Sequence, residues 1–195
     1  APSKDDAETD KNDFENVAAL MPPMLLDLQN RGQLASGYSA YNPQNEQIIN
    51  TTKDLGGVTE AFRMSHPGKH ESIVSEHAGI AAIGHTRYAT SGQDDLRYAQ
   101  PFERQHGRLW KWFAMAFNGN LANYTALRER LLSKRGYHFT LNIDTEIIMH
   151  TLAYQLRGER KPDLTKVMRA LSRNFDGAYN IAFLDALGRM VVSRD

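Results

Sequence analysis

Phe113-Ala-Met-Ala-Phe117 runs without a break into Asn118-Gly119-Asn120-Leu121-Ala-Asn123-Tyr124. The apolar run stops at Asn118-Gly119-Asn120, and Leu121, Tyr124, Leu127 and the Leu131-Leu132 pair then recur at helical spacing. Asn-Gly is a strong hairpin signal, since both residues tolerate positive φ. A hairpin needs a second alternating run directly afterwards, and the spacing here predicts a helix instead. A strand that ends in Asn-Gly ahead of a helix puts an amide side chain and a bare backbone N–H at an exposed edge. Two such donors can hold a developing oxyanion. An ordinary turn uses the same residues, so the neighbouring sequence has to decide.

Upstream, Leu109 to Phe117 reads as one strand, with Trp110 and Trp112 on one face and Phe113, Met115 and Phe117 on the other. Both faces are bulky, which fits a sheet covered on both sides. Downstream, the helix from Asn120 ends near Arg135 at Gly136, and Tyr137 to Thr140 is a short strand. Asp144-Thr145-Glu146 opens the next helix, with Ile147, Ile148, Thr151, Leu152 and Leu156 inward. Pro162-Asp163 opens another, carrying Leu164, Val167, Met168 and Leu171. Ala178 to Leu184 and Met190 to Ser193 are strands about a tight turn at Asp185 to Gly188.

Toward the N-terminus, residues 1–13 are acidic and read as a surface loop or insertion, and a domain is expected over 14–195. Asp13 caps a helix whose face is Phe14, Val17, Ala18, Met21, Leu25 and Leu28. Pro22-Pro23 kinks it or divides it in two, and Gly32 suits its C-terminal cap. Ser36 to Tyr41 and Gln47 to Thr52 are strands, and Val58, Ala61 and Phe62 form a short amphipathic piece. His66-Pro-Gly-Lys-His70 reads as a loop, and without a carboxylate or cysteine in a recognisable arrangement its histidines do not make a metal site. Gly79 to Gly84 is a buried-looking strand that runs into His85-Thr-Arg87-Tyr-Ala-Thr90-Ser91-Gly92, and Gln93 to Arg108 is loop-like. The class is α+β.

The chain of 195 residues suffices for one full domain or at most two small ones, and no apolar run approaches the roughly 20 residues that span a bilayer. Lys plus Arg and Asp plus Glu are both 23, so no overall field favours nucleic acid or an anionic membrane. Cysteine is absent, which excludes disulfides, thiolate metal sites and any thiol nucleophile among these residues.

Singly, each polar landmark has an ordinary reading: Arg87 as a surface ion pair, Asp144 as a helix cap, Thr90 as a loop hydroxyl. Their order says more. Arg31-Gly32-Gln33, Gly84-His-Thr-Arg87-Tyr-Ala-Thr90-x-Gly92, Gln100-Pro101-Phe102, Asn118-Gly119-Asn120-Leu121-x-Asn123, Asp144-Thr145-Glu146 and Arg194-Asp195 follow one another as in the class II glutamine amidotransferases. The chain resembles that family of N-terminal nucleophile hydrolases from about Phe14 onward, and the first and last blocks point to its purine-biosynthesis branch. The resemblance implies a four-layer αββα sandwich of two antiparallel sheets. It implies hydrolysis of the glutamine side-chain amide to glutamate and ammonia, with the ammonia passed to an acceptor domain or partner subunit. No cofactor, metal, nucleic acid or membrane enters that chemistry, the expected location is cytoplasmic, and a homo-oligomer is compatible with it.

By the same resemblance, Asn118 and Gly119 form the oxyanion hole, through the side-chain NH₂ and the backbone N–H. Arg87 clamps the α-carboxylate of L-glutamine, Asp144 accepts from its α-ammonium, and Thr90 lines the pocket. The family begins with a cysteine that attacks the amide, whereas position 1 here is Ala and Phe117 stands where the family often has His. Three explanations stay open: a segment that starts after the nucleophile strand, a substituted nucleophile at Ala1, or a degenerate homologue that binds or senses an amino acid. The first is preferred, because Ala-Pro-Ser-Lys is unlike a buried apolar strand. The close at Arg194-Asp195 likewise reads as a point from which the family continues.

Overall fold

Ala35–Tyr41 (β1) is the middle strand of the first sheet, paired antiparallel with Ile49–Leu55 (β2) on one side and Ala81–Arg87 (β3) on the other. The computed structural model describes residues 16–88, 95–134 and 136–195. The chain divides into two compact units, the first running to Glu103 and the second from Arg104.

In the first unit a 3₁₀ turn, Val17–Leu20, leads into the helix Met21–Leu28 (α1), with proline in its opening turn. The start expected at Asp13 lies outside the described residues. Proline is tolerated there because its missing N–H would have no helical partner anyway. Ala18, Pro22 and Leu25 are buried, whereas Val17 and Leu28 are 41% and 53% exposed, so the inward stripe is narrower than the spacing suggested. Val58–Ala61 (α2) adds Val58, Ala61 and Phe62 to the core, where the Phe62 ring lies 5.5 Å from that of Tyr38.

Two expectations in this unit need correction. Pro67–Glu76 is a helix (α3), not a loop: His66 precedes it, Pro67 opens it, and Gly68 is carried within it. Proline and glycine break helix interiors, but proline at the first position fits. His70 is engaged by the Phe62 carbonyl, 2.9 Å from its Nδ1. Gly32 does follow a helical turn, Gln29–Arg31, but in the extended conformation (φ −179°) rather than a left-handed cap. Its glycine is required by a close approach, since a Cβ would lie 2.4 Å from the Arg87 carbonyl carbon.

Lys53 on β2 reaches inward. Its Nζ donates to the carbonyls of Ala99 (2.7 Å) and Pro101 (3.1 Å) and stands 5.1 Å from the Phe102 ring centroid. Burial pushes its ammonium down to about 8, with Glu103 pulling the other way. The unfolded chain holds that proton up to 10.5, so between about 8 and 10.5 it binds more protons than the folded chain. Stability therefore rises with pH across that window. The urea midpoint of the wild type is expected to gain on that of Lys53→Met as the pH rises through it, and parallel midpoints would contradict the assignment.

A 3₁₀ turn, Leu96–Tyr98, and the short strand Phe102–Arg104 (β4) bring the chain to the second unit. There Leu109–Lys111 is a 3₁₀ turn, so the strand Phe113–Gly119 (β5) starts later than expected, and neither Trp110 nor Trp112 lies on it. Phe113 to Phe117 are all buried, as expected for a strand covered on both faces. β5 pairs antiparallel with Tyr179–Asp185 (β6), and β6 with Met190–Arg194 (β7). Buried Asp185 closes the β6–β7 turn: Oδ1 accepts from the N–H groups of Leu187 and Arg189, and Oδ2 from Arg189 Nε at 2.8 Å.

Three helices accompany these strands: Tyr124–Leu132 (α4), Asp144–Gln155 (α5) and Leu164–Ser172 (α6). Ile147, Ile148, Leu152, Leu156, Val167, Met168 and Leu171 are buried, as their spacing predicts. Asp163 caps α6 by accepting from the Thr165 N–H at 2.8 Å. The expected strand over Tyr137 to Thr140 is absent, because buried Glu146 takes that backbone instead. It accepts from the N–H (2.8 Å) and hydroxyl (3.0 Å) of Thr140 and from the Leu141 N–H (2.6 Å). The fold is α+β, with two antiparallel sheets and helices among the described residues.

Candidate active site

β5 is buried over its first five residues and exposed at its last two, Asn118 and Gly119. Their register with β6 decides where the backbone donors point. Asn118 faces Asn180 and Gly119 faces Tyr179, while the Asn120 N–H donates to the Ala178 carbonyl at 3.0 Å. Hydrogen-bonded and non-bonded pairs alternate along antiparallel strands. Gly119 therefore belongs to a non-bonded pair, and its N–H turns away from β6. The fit is close: a Cβ on Gly119 would lie 2.3 Å from the Ala178 carbonyl oxygen and 2.7 Å from Tyr179 Cα. Only glycine permits this approach.

The next three N–H groups are each held. Beyond that of Asn120, the Leu121 N–H donates to Asp144 Oδ2 at 2.8 Å and the Ala122 N–H to the Asp176 carbonyl at 2.7 Å. Asp144 is the first residue of α5, and the cap position belongs to Ile143, which makes no side-chain cap bond. The ordinary helix-cap reading of Asp144 is thus replaced by a tie across to the β5–α4 turn. Burial raises its pKa above the usual carboxylate value, and the Leu121 bond lowers it. The second unit so brings Asn118, Gly119 and Asp144 to one turn.

Arg87 ends β3 in the first unit, is 7% exposed, and lies 5.4 Å from the Tyr98 ring centroid. Thr90 lies outside the described residues.

Two positioning side chains escaped the sequence reading. Asn123 donates to the Asn174 carbonyl at 2.8 Å and accepts from the Asp176 N–H at 3.2 Å, which clips the β5–α4 turn to the segment before β6. Its place in Asn-Gly-Asn-Leu-x-Asn was the available signal. Glu146 fixes residues 140–141 just ahead of Asp144, and a glutamate on the apolar face of a helix was the clue there.

A family profile described as a glutamine amidotransferase domain matches residues 45–195. The chain is 33% identical over 168 residues to a chloroplastic amidophosphoribosyltransferase of Glycine max, covering 86% of this chain and 26% of that protein. It is 32% identical over 170 residues to the amidophosphoribosyltransferase of Methanothermobacter thermautotrophicus, covering 86% and 32%. Among solved structures, it matches the glutamine phosphoribosylpyrophosphate amidotransferase of B. subtilis complexed with ADP and GMP. That match has a TM-score of 0.73 at 28% identity and covers 93% of this chain and 35% of that one. An allosteric regulatory enzyme of purine biosynthesis matches with a TM-score of 0.72 at 29% identity, covering 90% and 34%. The chain spans about a third or less of the length of these proteins. No helix among the described residues is long and apolar enough to cross a membrane. With the profile covering residues 45–195 and these likenesses in sequence and fold, the chain belongs to the glutamine amidotransferase domain family.

Proposed function

We propose that this chain forms the glutaminase part of a class II glutamine amidotransferase of the purine-biosynthesis branch. It hydrolyses the side-chain amide of free glutamine and passes ammonia to an acceptor domain or partner subunit. The observation that carries this reading is the exposed Asn118-Gly119 pair at the end of an otherwise buried strand, with the Leu121 N–H just beyond it held by Asp144.

In amide hydrolysis a nucleophile adds to the carbonyl carbon and charge builds on its oxygen. The C–N bond then breaks, with a proton moving to the departing nitrogen. The family's attacking thiol is not among these 195 residues; the groups that are present serve the oxyanion and the amino-acid end of glutamine. The Asn118 side-chain NH₂ and the Gly119 N–H donate to the developing oxyanion. Arg87 takes the α-carboxylate through its planar fork, Thr90 lines the glutamine pocket, and Asp144 accepts from the α-ammonium through the oxygen not given to Leu121. A peptide-linked glutamine offers neither the α-carboxylate nor the α-ammonium that these groups bind, which selects the free amino acid.

The full-length polypeptide carrying this segment is expected to release glutamate and ammonia from glutamine in equal amounts. Saturable glutamine binding without release would instead favour an amino-acid-binding module. Asp144→Asn separates that residue's two functions. Asparagine keeps an acceptor for Leu121 but loses the charge, so KM for glutamine is expected to rise about 3- to 10-fold with the unfolding midpoint nearly unchanged. Because burial raises the Asp144 pKa, the wild type should lose glutamine affinity on the acid side sooner than an ordinary carboxylate would. Asp144→Asn should lack that limb, and an unaltered acid limb in the variant would remove Asp144 from the glutamine pocket.

A further inference from the structure

A second polar site lies in the second unit, away from the Asn118 turn in the chain. Arg104, His106, Lys111, Ala153 and Arg157 line a cavity of about 110 Å³. Four of the five are basic, and no carboxylate pairs with Arg104, Lys111 or Arg157 among the described residues. Basic side chains on a protein surface are usually solvated and mobile. Here two are held in place. His106 Nδ1 accepts from the Arg108 N–H at 2.9 Å, so a neutral His106 carries its proton on Nε2 and remains a donor there. Arg157 donates from one guanidinium nitrogen to the Tyr154 carbonyl at 2.7 Å, with its Cζ 3.4 Å from the Tyr154 ring centroid. Stacking and that bond fix the fork and leave its other donors for a ligand.

The charges crowd one another. The His106 pKa is lowered first by burial and then by Lys111, Arg104 and Arg108. An arrangement of like charges about a cavity, with no carboxylate paired to Arg104, Lys111 or Arg157 among the described residues, is relieved by an anion. We propose that Arg104, His106, Lys111 and Arg157 form a binding site for a phosphate group. Several N–H donors on separate elements suit a tetrahedral oxyanion better than a planar carboxylate, which a single guanidinium already matches. A phosphate group reaches a protein either as orthophosphate or on a small phosphorylated molecule, and the same donors serve either. Lys111 ends the 3₁₀ turn that leads through Trp112 into β5, and Asn118-Gly119 lie at the far end of that strand.

Equilibrium dialysis of the full-length polypeptide against labelled orthophosphate tests this. The expected result is one saturable phosphate per chain that weakens by at least about tenfold, or disappears, in Arg104→Gln/Arg157→Gln. Sulfate should compete and chloride at matched ionic strength should not. Glutamine hydrolysis and the unfolding midpoint report that the variant is folded, since neither residue belongs to the glutamine site. Glycerol 3-phosphate separates the sources: tighter binding than orthophosphate assigns a phosphorylated small molecule, and equal or weaker binding assigns the free ion. Undiminished phosphate binding in the folded double variant, or displacement by chloride at matched ionic strength, overturns the proposal.

Discussion

An Asn118→Ala variant of the full-length polypeptide is expected to hydrolyse glutamine about 100- to 1000-fold more slowly, through kcat, with KM nearly unchanged. The size of the effect comes from where the donor acts. The glutamine carbonyl oxygen is only weakly basic in the ground state, whereas the tetrahedral intermediate carries a full negative charge there. A donor aimed at that oxygen therefore contributes little to binding and much to the barrier. Asn118 can be removed at small structural cost, because its side chain is exposed at the strand end and its backbone pairing with Asn180 does not depend on the amide. Asn118→Asp should be at least as slow, since it sets one negative charge beside another. A loss of less than about fivefold in Asn118→Ala, measured on folded protein with glutamate release as readout, would return the Asn-Gly pair to an ordinary turn.

Arg87→Ala is expected to raise KM for glutamine by about 10- to 150-fold, corresponding to the roughly 1.5–3 kcal/mol of a hydrogen bond to a charged group. Arg87 is 7% exposed and lies against Tyr98, so its guanidinium is restrained before any ligand arrives. That restraint lowers the entropy lost on binding a carboxylate. Arg87→Lys keeps the charge without the fork, and should fall between the wild type and alanine. Glutamine with its carboxylate amidated should bind the wild type poorly and discriminate little between wild type and Arg87→Ala. A near-normal KM in Arg87→Ala would sink the pocket assignment.

Periodic segments of this fold were the legible ones. α5 and α6 carry their apolar residues at unbroken helical spacing, and Asp163 bears a cap's side chain, so core and boundary both read correctly. β6 and β7 are joined through Asp185 to Gly188, where turn chemistry is explicit. Failures arose where one local rule overrode another. Pro67-Gly68 looks like a break, yet proline at the first helical position is compatible with the helix behind it. Tyr137 to Thr140 has strand composition, but its backbone donors go to a carboxylate on α5 that lies later in the chain. Leu109 to Trp112 continues the apolar run of β5 in composition while winding into a 3₁₀ turn.

The candidate site was legible as ordered residues and illegible as contacts. Asn118, Gly119 and Asp144 could be picked out by their company in the sequence. Their physical link, the Leu121 N–H on Asp144 Oδ2, joins positions that no local pattern connects. Likewise, nothing in the sequence near Arg104 announces that Arg157 shares its cavity. Such long-range pairings are set by tertiary packing, which spacing along a chain does not encode.

The two donors of the proposed oxyanion pair differ in how they can be inherited. Asn118 contributes a side chain, which a single codon change can delete. Gly119 contributes a peptide N–H that every codon except those for proline preserves. What a codon change can do at 119 is displace that group, since any Cβ meets the Ala178 carbonyl oxygen at 2.3 Å. Drift toward an inactive form would therefore be recorded as a lost amide at one position and as a bulkier residue at the next.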